Sequence, residues 1–366
     1  MRLRSAPEYF NRVAVLIIFP DRSIPMSSLK QKTQAIVMEE ERIRRGGGPE
    51  GEARQRRLGR LTARERVREL LDDSGFLELG LWAAYRMYET WGEVPAAGVV
   101  SGIGWLGGRP CLVVANDATV KAGAMFPQSV KKVLRAQTIA MRFRLPLVYL
   151  VDSSGVFLPL QDEIFPDEDD FGRIFRNNAV LSAAGVPQYA AIMGNCVAGG
   201  AYLPVLCDTV LMTEGSHLYL AAPALTKAAI GQEVDPEELG GVRMHSAVSG
   251  TVDFREPDDP SCLRRIRSLF DLLPPGGCGP WSEQTEATER SPGEVYDVVP
   301  TESRSGYEVR DLLACVIDRD SGLEYKADYG PTLVTMYAKI GGKPVGIVAN
   351  QKRRCTSGEG EIQIGG

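Results

Sequence analysis

The sequence predicts an α/β fold, and three observations carry that prediction. From Gly98 onward, short β-rich runs alternate with stretches of helical period. Two turns of small residues, Asn116 to Ala124 and Gly194 to Tyr202, each stand where a strand gives way to a helix. The segment Ser101 to Asn116 returns as Thr335 to Asn350, and Gly108 and Gly342 set its constant offset at 234.

Taken in order, residues 1–27 show no clear periodicity and receive no role. Residues 28–45 read as a charged helix, in which Glu39, Glu40 and Glu41 precede Arg42, Arg44 and Arg45 at helical spacing. Gly46, Gly47, Gly48 and Pro49 break it. Leu61 to Leu71 resumes as a helix capped by Thr62, with Arg64, Glu65 and Arg66 on its wet face. Gly98 to Trp105 and Pro110 to Ala115 are β-rich runs around Leu106–Arg109, a hairpin signal. A helix over Gln128 to Phe143 follows, then the continuous apolar strand Leu147 to Val151, ending at Asp152.

Phe171 to Ala184 is the next helix, with Asp167, Glu168, Asp169 and Asp170 crowded at its start, where carboxylates offset the helix dipole. Four consecutive acids there cannot all face one ion, so no metal site is expected. The strand Val186 to Met193 leads into the glycine turn and a helical run toward Cys207. Strands over Val210 to Thr213 and His217 to Leu220, a helix over Pro260 to Leu273 and a Pro/Gly-rich linker from Pro274 to Pro300 complete the first unit.

Past the linker, Leu71–Glu78 is echoed by Ile317–Glu324 with a one-residue gap, so the chain reads as a duplicated domain. The boundaries are 1–27 for the first segment, 28–273 for the first domain, 274–304 for the linker and 305–366 for the start of the second. The offset carries Gly199 to position 433, beyond residue 366, so the second copy is expected to be truncated. Its strands, Leu333 to Ala338 and Val345 to Ala349, are then expected to stand apolar and unpartnered.

Composition narrows the function. A hydrophobic share of 44%, a charged share of 24% and a mean hydropathy of -0.12 describe a globular protein. The apolar run Val13 to Phe19 falls far short of the ~20 residues that span a bilayer, so no membrane association is expected. Seven cysteines form no CxxC pair and support neither a disulfide framework nor a zinc ribbon, which fits a reducing compartment. Only His217 and His245 exist, leaving little material for imidazole-based catalysis or metal binding. The net charge is -5, with a basic head, yet residues 27–66 hold no aromatic side chain, and nucleic acid is not an expected partner.

The turn Gly194–Tyr202 places Gly199 and Gly200 where unpaired backbone amides face outward at the positive end of a helix. Such a place binds an anion or a developing oxyanion, and glycine lets a ligand approach the backbone. On the local motif by itself, a tight turn needing glycine for packing is the leading reading. It is neither a GxGxxG fingerprint nor a P-loop. Two such turns without a histidine base suggest an enzyme that steadies a carbonyl oxyanion by backbone and draws its acid or base from a cofactor or the substrate.

The stretches ANDATVKAGAMFPQSVKKVLRAQTIA, LPLVYLVDSSGVFLPLQDEIFPDEDDFGRIFRNNA, MGNCVAGGAYLPVLCD, LTKAAIGQEVDPEELGG and GKPVGIVANQ, with RLTARERVRELLD in front, resemble the carboxyltransferase (β) subunit of biotin-dependent acyl-CoA carboxylases. The likeness covers roughly residues 28 to 360 and is nearest to the propionyl-CoA and methylcrotonyl-CoA branch. It implies a crotonase-like (ClpP/crotonase) spiral fold, here one complete domain plus the start of its duplicate. It implies CO2 transfer from carboxybiotin, carried by a separate subunit or domain, to the α- or γ-carbon of an acyl-CoA through an enolate. No metal and no catalytic side chain is implied. The backbone of Gly199, Gly200 and Ala201 matches the family's oxyanion hole, and Lys121, Ala122, Gly123, Ala198, Ala222 and Pro223 match its acyl-CoA site.

The implied partners are acyl-CoA, a biotin carboxylase/biotin carrier subunit and further copies of the chain, with active sites between protomers. The implied compartment is the bacterial cytoplasm or, as second choice, the mitochondrial matrix. Val120–Gly123 departs from the family's VKGG, and Leu220–Gln232 departs from LAGPPLVKAATGE, which leaves the acyl group open. The alternatives are the carboxyltransferase subunit of a biotin-dependent decarboxylase and a noncatalytic assembly subunit, and an intact AGGA speaks against the latter. A truncated chain is expected to be inactive alone. Arg173 and Arg176 are candidate CoA-phosphate contacts with Asp169 and Asp170 as local alternatives, His245 is a candidate CoA contact, His217 is a strand residue, and Cys196 lacks a visible base.

Overall fold

The structure is a computed structural model, and it describes residues 28–273, 286–302, 305–351, 355–356 and 362–363. The chain divides into two compact units, residues 1–42 and 43–366. Helix α1 (Ser28–Arg44) carries an Arg42–Glu39 ion pair at 2.7 Å in the first unit. The expectations for residues 1–27 and for 274–285 lie outside the described residues.

The second unit opens with α2 (Gly48–Arg57), a helix that apolar periodicity did not predict, because Gln55 is its one buried residue. Pro49 sits in its first turn, where the missing amide hydrogen costs nothing. Helix α3 (Ala63–Leu70) has the expected Thr62 cap, completed by Glu65 into a capping box. Arg66 is not on the wet face: it is 1% exposed, held inside by two carboxylates and a carbonyl described below.

One mixed sheet organises the unit. The hairpin β2 (Val99–Leu106) and β3 (Arg109–Asn116) is flanked by the short β1 (Leu77–Glu78). After α4 (Pro127–Phe143) come β4 (Leu147–Ser153), α5 (Phe171–Ala183), β5 (Gln188–Val197) and β6 (Thr209–Thr213). Then β7 (His217–Tyr219), α6 (Pro223–Ile230), β8 (Phe254–Glu256) and α7 (Asp259–Phe270) follow. The order is β1-β2-β3-β4-β5-β6-β8, with β7 continuing beside the end of β5 and every pair from β3–β4 onward parallel.

Both faces of the central strands are covered. Leu147, Tyr149, Ala190 and Ile192 pack in one core with residues of α4 and α5, while Val148, Leu150, Ala191 and Met193 pack in another with residues of α3 and α7. This two-sided burial is why β4 reads as an unbroken apolar run. None of Asp167–Asp170 lies within the first turn of α5. Asp170 precedes it without a capping bond and accepts instead from the Asp167 amide at 2.9 Å.

Beyond the gap, residues 286–302 are not a plain linker. They hold helical turns at Pro292–Glu294 and Val295–Val298, and Arg290 meets Asp311 at 3.0 Å. Helix α8 (Val309–Leu313) precedes β9 (Leu323–Tyr325), β10 (Leu333–Ile340) and β11 (Lys343–Asn350). The apolar face of β10 is partnered, contrary to expectation: Val334, Met336 and Ala338 are buried with Val309 and Leu313, and Ile347 packs against them.

Candidate active site

Three adjacent parallel strands, β3, β4 and β5, end on one edge of the sheet, the edge where α/β proteins place their ligands. After β3 comes the turn Lys121–Gly123, in which all three residues have left-handed backbones, φ 48°, 54° and 71°. Two of them carry side chains, at a cost of order 1–2 kcal/mol each. A Cβ on Gly123 would lie 2.1 Å from the Asp152 carbonyl oxygen, so only glycine fits there. The Gly123 amide donates to Val120 O, which leaves the Lys121 and Ala122 amides without a backbone acceptor among the described residues.

After β5 comes the turn Ala198–Ala201, entered through a left-handed Ala198 at φ 56°. Among the described residues no carbonyl accepts from the Gly199 or Gly200 amide within hydrogen-bonding geometry, as expected of the first amides of a helical turn. Phe171 walls one side: a Cβ on Gly199 would stand 3.0 Å from its ring. The ring belongs to a chain of aromatic contacts, Phe165–Phe171–Phe175–Tyr202, with centroids 5.2 to 5.5 Å apart.

Between the two turns runs the end of β4. Ser153 Oγ donates to Gly123 O at 2.7 Å, the Ser154 amide donates to Ala122 O at 3.1 Å, and the Gly155 carbonyl accepts from the Met125 amide at 2.8 Å. Beneath lies a buried ionic group. Arg66 Nε meets Asp259 Oδ2 at 2.7 Å, Nη1 meets Asp152 Oδ2 at 3.3 Å, and Nη2 donates to Met193 O at 2.7 Å. Burial pushes the Asp152 carboxyl above its usual range, although Arg66 and Arg60 pull the other way.

The sequence-derived residues fall as follows. Lys121, Ala122 and Gly123 sit on one side of the β4 end, and Ala198, Gly199, Gly200 and Ala201 on the other. Strand β7 runs parallel to the end of β5, pairing Tyr219 with Val197, and the half-buried Ala222 and Pro223 lie just beyond it at the start of α6. Gly194 to Val197 belong to β5 rather than to the turn, so the strand runs past Met193. Arg173 lies 3.6 Å from Asp169. Both ring nitrogens of His245 are engaged, with Ser249 Oγ at 3.2 Å and Leu218 O at 2.7 Å. Cys196 is fully buried, and burial pushes its thiol far up, so it offers no thiolate. Among the described residues no cluster of three His, Cys, Asp or Glu is placed to hold a metal.

Sequence reasoning missed Arg66, Asp152, Ser153 and Asp259. The available signal was the polar run Asp152–Ser153–Ser154–Gly155 at the end of a strand buried on both faces.

A profile described as "Carboxyl transferase domain" matches residues 54–365. The chain belongs to the carboxyl transferase domain family. It is 47% identical over 308 residues to the biotin-dependent 3-methylcrotonyl-coenzyme A carboxylase beta1 subunit of Mycobacterium tuberculosis, covering 83% of this chain and 58% of that relative. It is 39% identical over 345 residues to the mitochondrial methylcrotonoyl-CoA carboxylase beta chain of Arabidopsis thaliana, covering 91% and 57%. This carboxyl transferase chain thus spans less than two thirds of the length of either relative.

Among solved structures it resembles the hexameric transcarboxylase 12S core with methylmalonyl-coenzyme A and methylmalonic acid bound, with a TM-score of 0.81 and 34% identity over 89% of this chain and 64% of that one. The β subunit of P. aeruginosa geranyl-CoA carboxylase gives a TM-score of 0.63 and 30% identity over 92% and 63%. The fold is therefore the crotonase-like one of carboxyl transferases. Among the described residues no helix is long and apolar enough to cross a membrane.

Proposed function

We propose that this chain is the carboxyltransferase (β) subunit of a biotin-dependent acyl-CoA carboxylase of the methylcrotonyl-CoA branch. One observation carries the reading: two turns with open amides flank the end of β4, at Ala122 and at Gly199–Gly200, on the edge where ligands of such sheets bind. Amides fixed in advance stabilise the oxygen of a thioester as it becomes an enolate. Ala198, Ala222 and Pro223 line the approach, and Lys121 stands exposed at the mouth, suited to the anionic CoA portion.

Carboxybiotin, carried on another subunit, would supply the CO2 and accept the proton lost from the α- or γ-carbon of the acyl group. The open amides fit the acyl half of that reaction, and the described residues identify no cradle for the ureido ring. This chain's own residues hold the CoA thioester, polarise its carbonyl and shield it behind Phe171 and Tyr202. Two side chains near the turns are already committed, since burial keeps Cys196 a thiol and both ring nitrogens of His245 are engaged, by Ser249 and by Leu218 O. That supports an external base. The names of the relatives support a biotin carboxylase/carrier partner, the hexameric 12S core supports self-assembly, and bacterial relatives support a cytoplasmic setting.

Titration calorimetry of the folded chain with 3-methylcrotonyl-CoA, propionyl-CoA and free CoA tests this. The reading expects binding of all three, with the thioesters tighter. A folded sample that binds no CoA compound overturns it.

A further inference from the structure

Strand β4 ends between the open turns, and its last two side chains touch what holds each of them. On the β3 side the contact is Ser153, which is 2% exposed. Its hydroxyl donates to Gly123 O at 2.7 Å and accepts from the Gly155 amide at 3.1 Å. The Lys121–Gly123 turn, with three consecutive left-handed residues, therefore hangs from β4 by this bond and by the Ser154 amide to Ala122 O at 3.1 Å.

On the β5 side the contact is Asp152. Val151 pairs with Ile192, whereas Ser153 pairs with Cys196, so β5 fits extra residues into that interval as a bulge. The Asp152 carboxyl fills it: a Cβ on Gly194 would fall 2.1 Å from Asp152 Cγ. The Asn195 amide donates to Asp152 Oδ1 at 3.2 Å, and Arg66 satisfies Met193 O while bonding Asp152 Oδ2. Groups that a bulge leaves outside the ladder are thus paired by side chains, and the bulge sets how Cys196–Gly200 leaves the sheet.

We infer that Ser153 and Asp152 are the positioning residues of the oxyanion hole. The hydroxyl fixes the Lys121–Gly123 turn and, through the Gly155 amide, the chain beside Gly200, the carboxylate fixes the Gly199 and Gly200 amides, and because the two side chains are consecutive on one strand, the two sides of the site are set against each other. The inference rests on the acyl-CoA reading above and adds how the hole is assembled. Donors stabilise an oxyanion from about 2.7–3.1 Å, so a turn that relaxes by a fraction of an ångström loses polarising power before it loses the ligand. Removing the Ser153 hydroxyl strands a buried carbonyl and a buried amide beside a strained turn, which gives the turn a reason to relax.

The test is Ser153→Ala in the full chain, read in two ways. Calorimetry gives affinities for free CoA and propionyl-CoA, and infrared difference spectra of propionyl-CoA labelled with 13C at the thioester carbonyl report how strongly the bound carbonyl is polarised. In the wild type the carbonyl band moves to lower wavenumber on binding. The variant is expected to keep free-CoA affinity within about twofold, to lose about tenfold for propionyl-CoA and to show a smaller band shift. A role confined to folding would leave the band where it is. Should Ser153→Ala fail to give a cooperative melt, Asp152→Asn, which keeps the side-chain shape and weakens the tie to Arg66, is read in the same way. A folded variant with an unchanged band shift and an unchanged ratio of propionyl-CoA to CoA affinity overturns the inference while leaving the acyl-CoA reading in place. A wild type that binds no CoA compound overturns the reading and the inference together.

Discussion

The hairpins β2–β3 and β10–β11 are built alike and end up in different surroundings. Their strand limits, 99–106 with 109–116 and 333–340 with 343–350, differ by 234 throughout. Cross-strand pairing repeats as well, Val99 with Asn116 and Leu333 with Asn350. Even the aspartates that tether the turns correspond. Asp72 accepts from the Gly108 amide at 2.9 Å, Asp318 accepts from the Gly342 amide at 2.7 Å, and their own amides donate to Trp105 O and Lys339 O, both at 2.8 Å.

Burial separates them. Val114, on β3 beside β4, is 4% exposed, whereas its match Val348 is 73% exposed. Helices α3 and α8 correspond too, Ala63 and Val67 facing the core as Val309 and Leu313 do, but the first copy has Arg66 where the second has Leu312. The hairpin is thus local, a product of turn chemistry and alternation. The site is not local, since it needs parallel strands beyond the hairpin and an ionic group beneath their ends.

Arg66→Met should break the first copy most severely. It leaves Asp152 and Asp259 buried without their shared cation, for which about 3–5 kcal/mol of stability is expected to be lost in urea denaturation at neutral pH. The deficit should narrow in acid. Asp152 already has a raised pKa in the folded protein, and without Arg66 it rises further. A carboxyl whose folded pKa exceeds its unfolded value binds more protons when folded, so the variant gains stability relative to wild type as pH falls toward the unfolded value of about 3.9. A deficit that is constant from pH 7 to 5 would show that Asp152 is not the group left stranded.

Gly200→Ala sharpens the assignment of the acyl site to the first copy. A Cβ there would lie 3.8 Å from Gly155 Cα, an ordinary contact, so the fold accepts it and the ligand meets it. In the assembled carboxylase kcat should fall, because the added methyl pushes the thioester oxygen off the Gly199 and Gly200 amides, by up to the factor of about 10² to 10³ that a lost oxyanion contact costs. Normal kcat with a raised KM would mean that the turn merely seats CoA.

The matched pair Val114→Ala and Val348→Ala compares burial directly. The first should cost about 2 kcal/mol through lost burial and a cavity, and the second no more than about 0.5 kcal/mol. Equal losses would mean that β11 is covered in solution to the same extent as β3.

The legible parts of the sequence were those set by neighbours along the chain. Leu106–Arg109 announced a hairpin, Thr62 and Glu65 a helix start, and Leu147–Val151 a strand buried on both faces. Small residues marked both open turns, because the backbone there must lie bare. Helix α2 was illegible, since its sequence offers no apolar face to read. Arg66 resembled its wet neighbours on α3 because nothing local shows that Asp152 and Asp259 will converge on it from 86 and 193 residues away. The same distance hid the continuation of β5 through Val197, which depends on a carboxylate from another strand.

A hole made of main-chain amides has consequences for anyone mapping it by variation. Ala122 and Ala198 are alanine already, and a methyl added at Gly199 or Gly200 crowds the ligand without removing a donor, so an alanine scan reports the shape and the supports of the place but never its N–H groups. Amides also carry no proton to lose over the ordinary working range, so any pH dependence of the turns' polarising power enters through supports such as Asp152 and not through the donors. Finding such donors takes edits to the chain itself, such as an amide-to-ester replacement at residue 200 that deletes one N–H and spares every side chain.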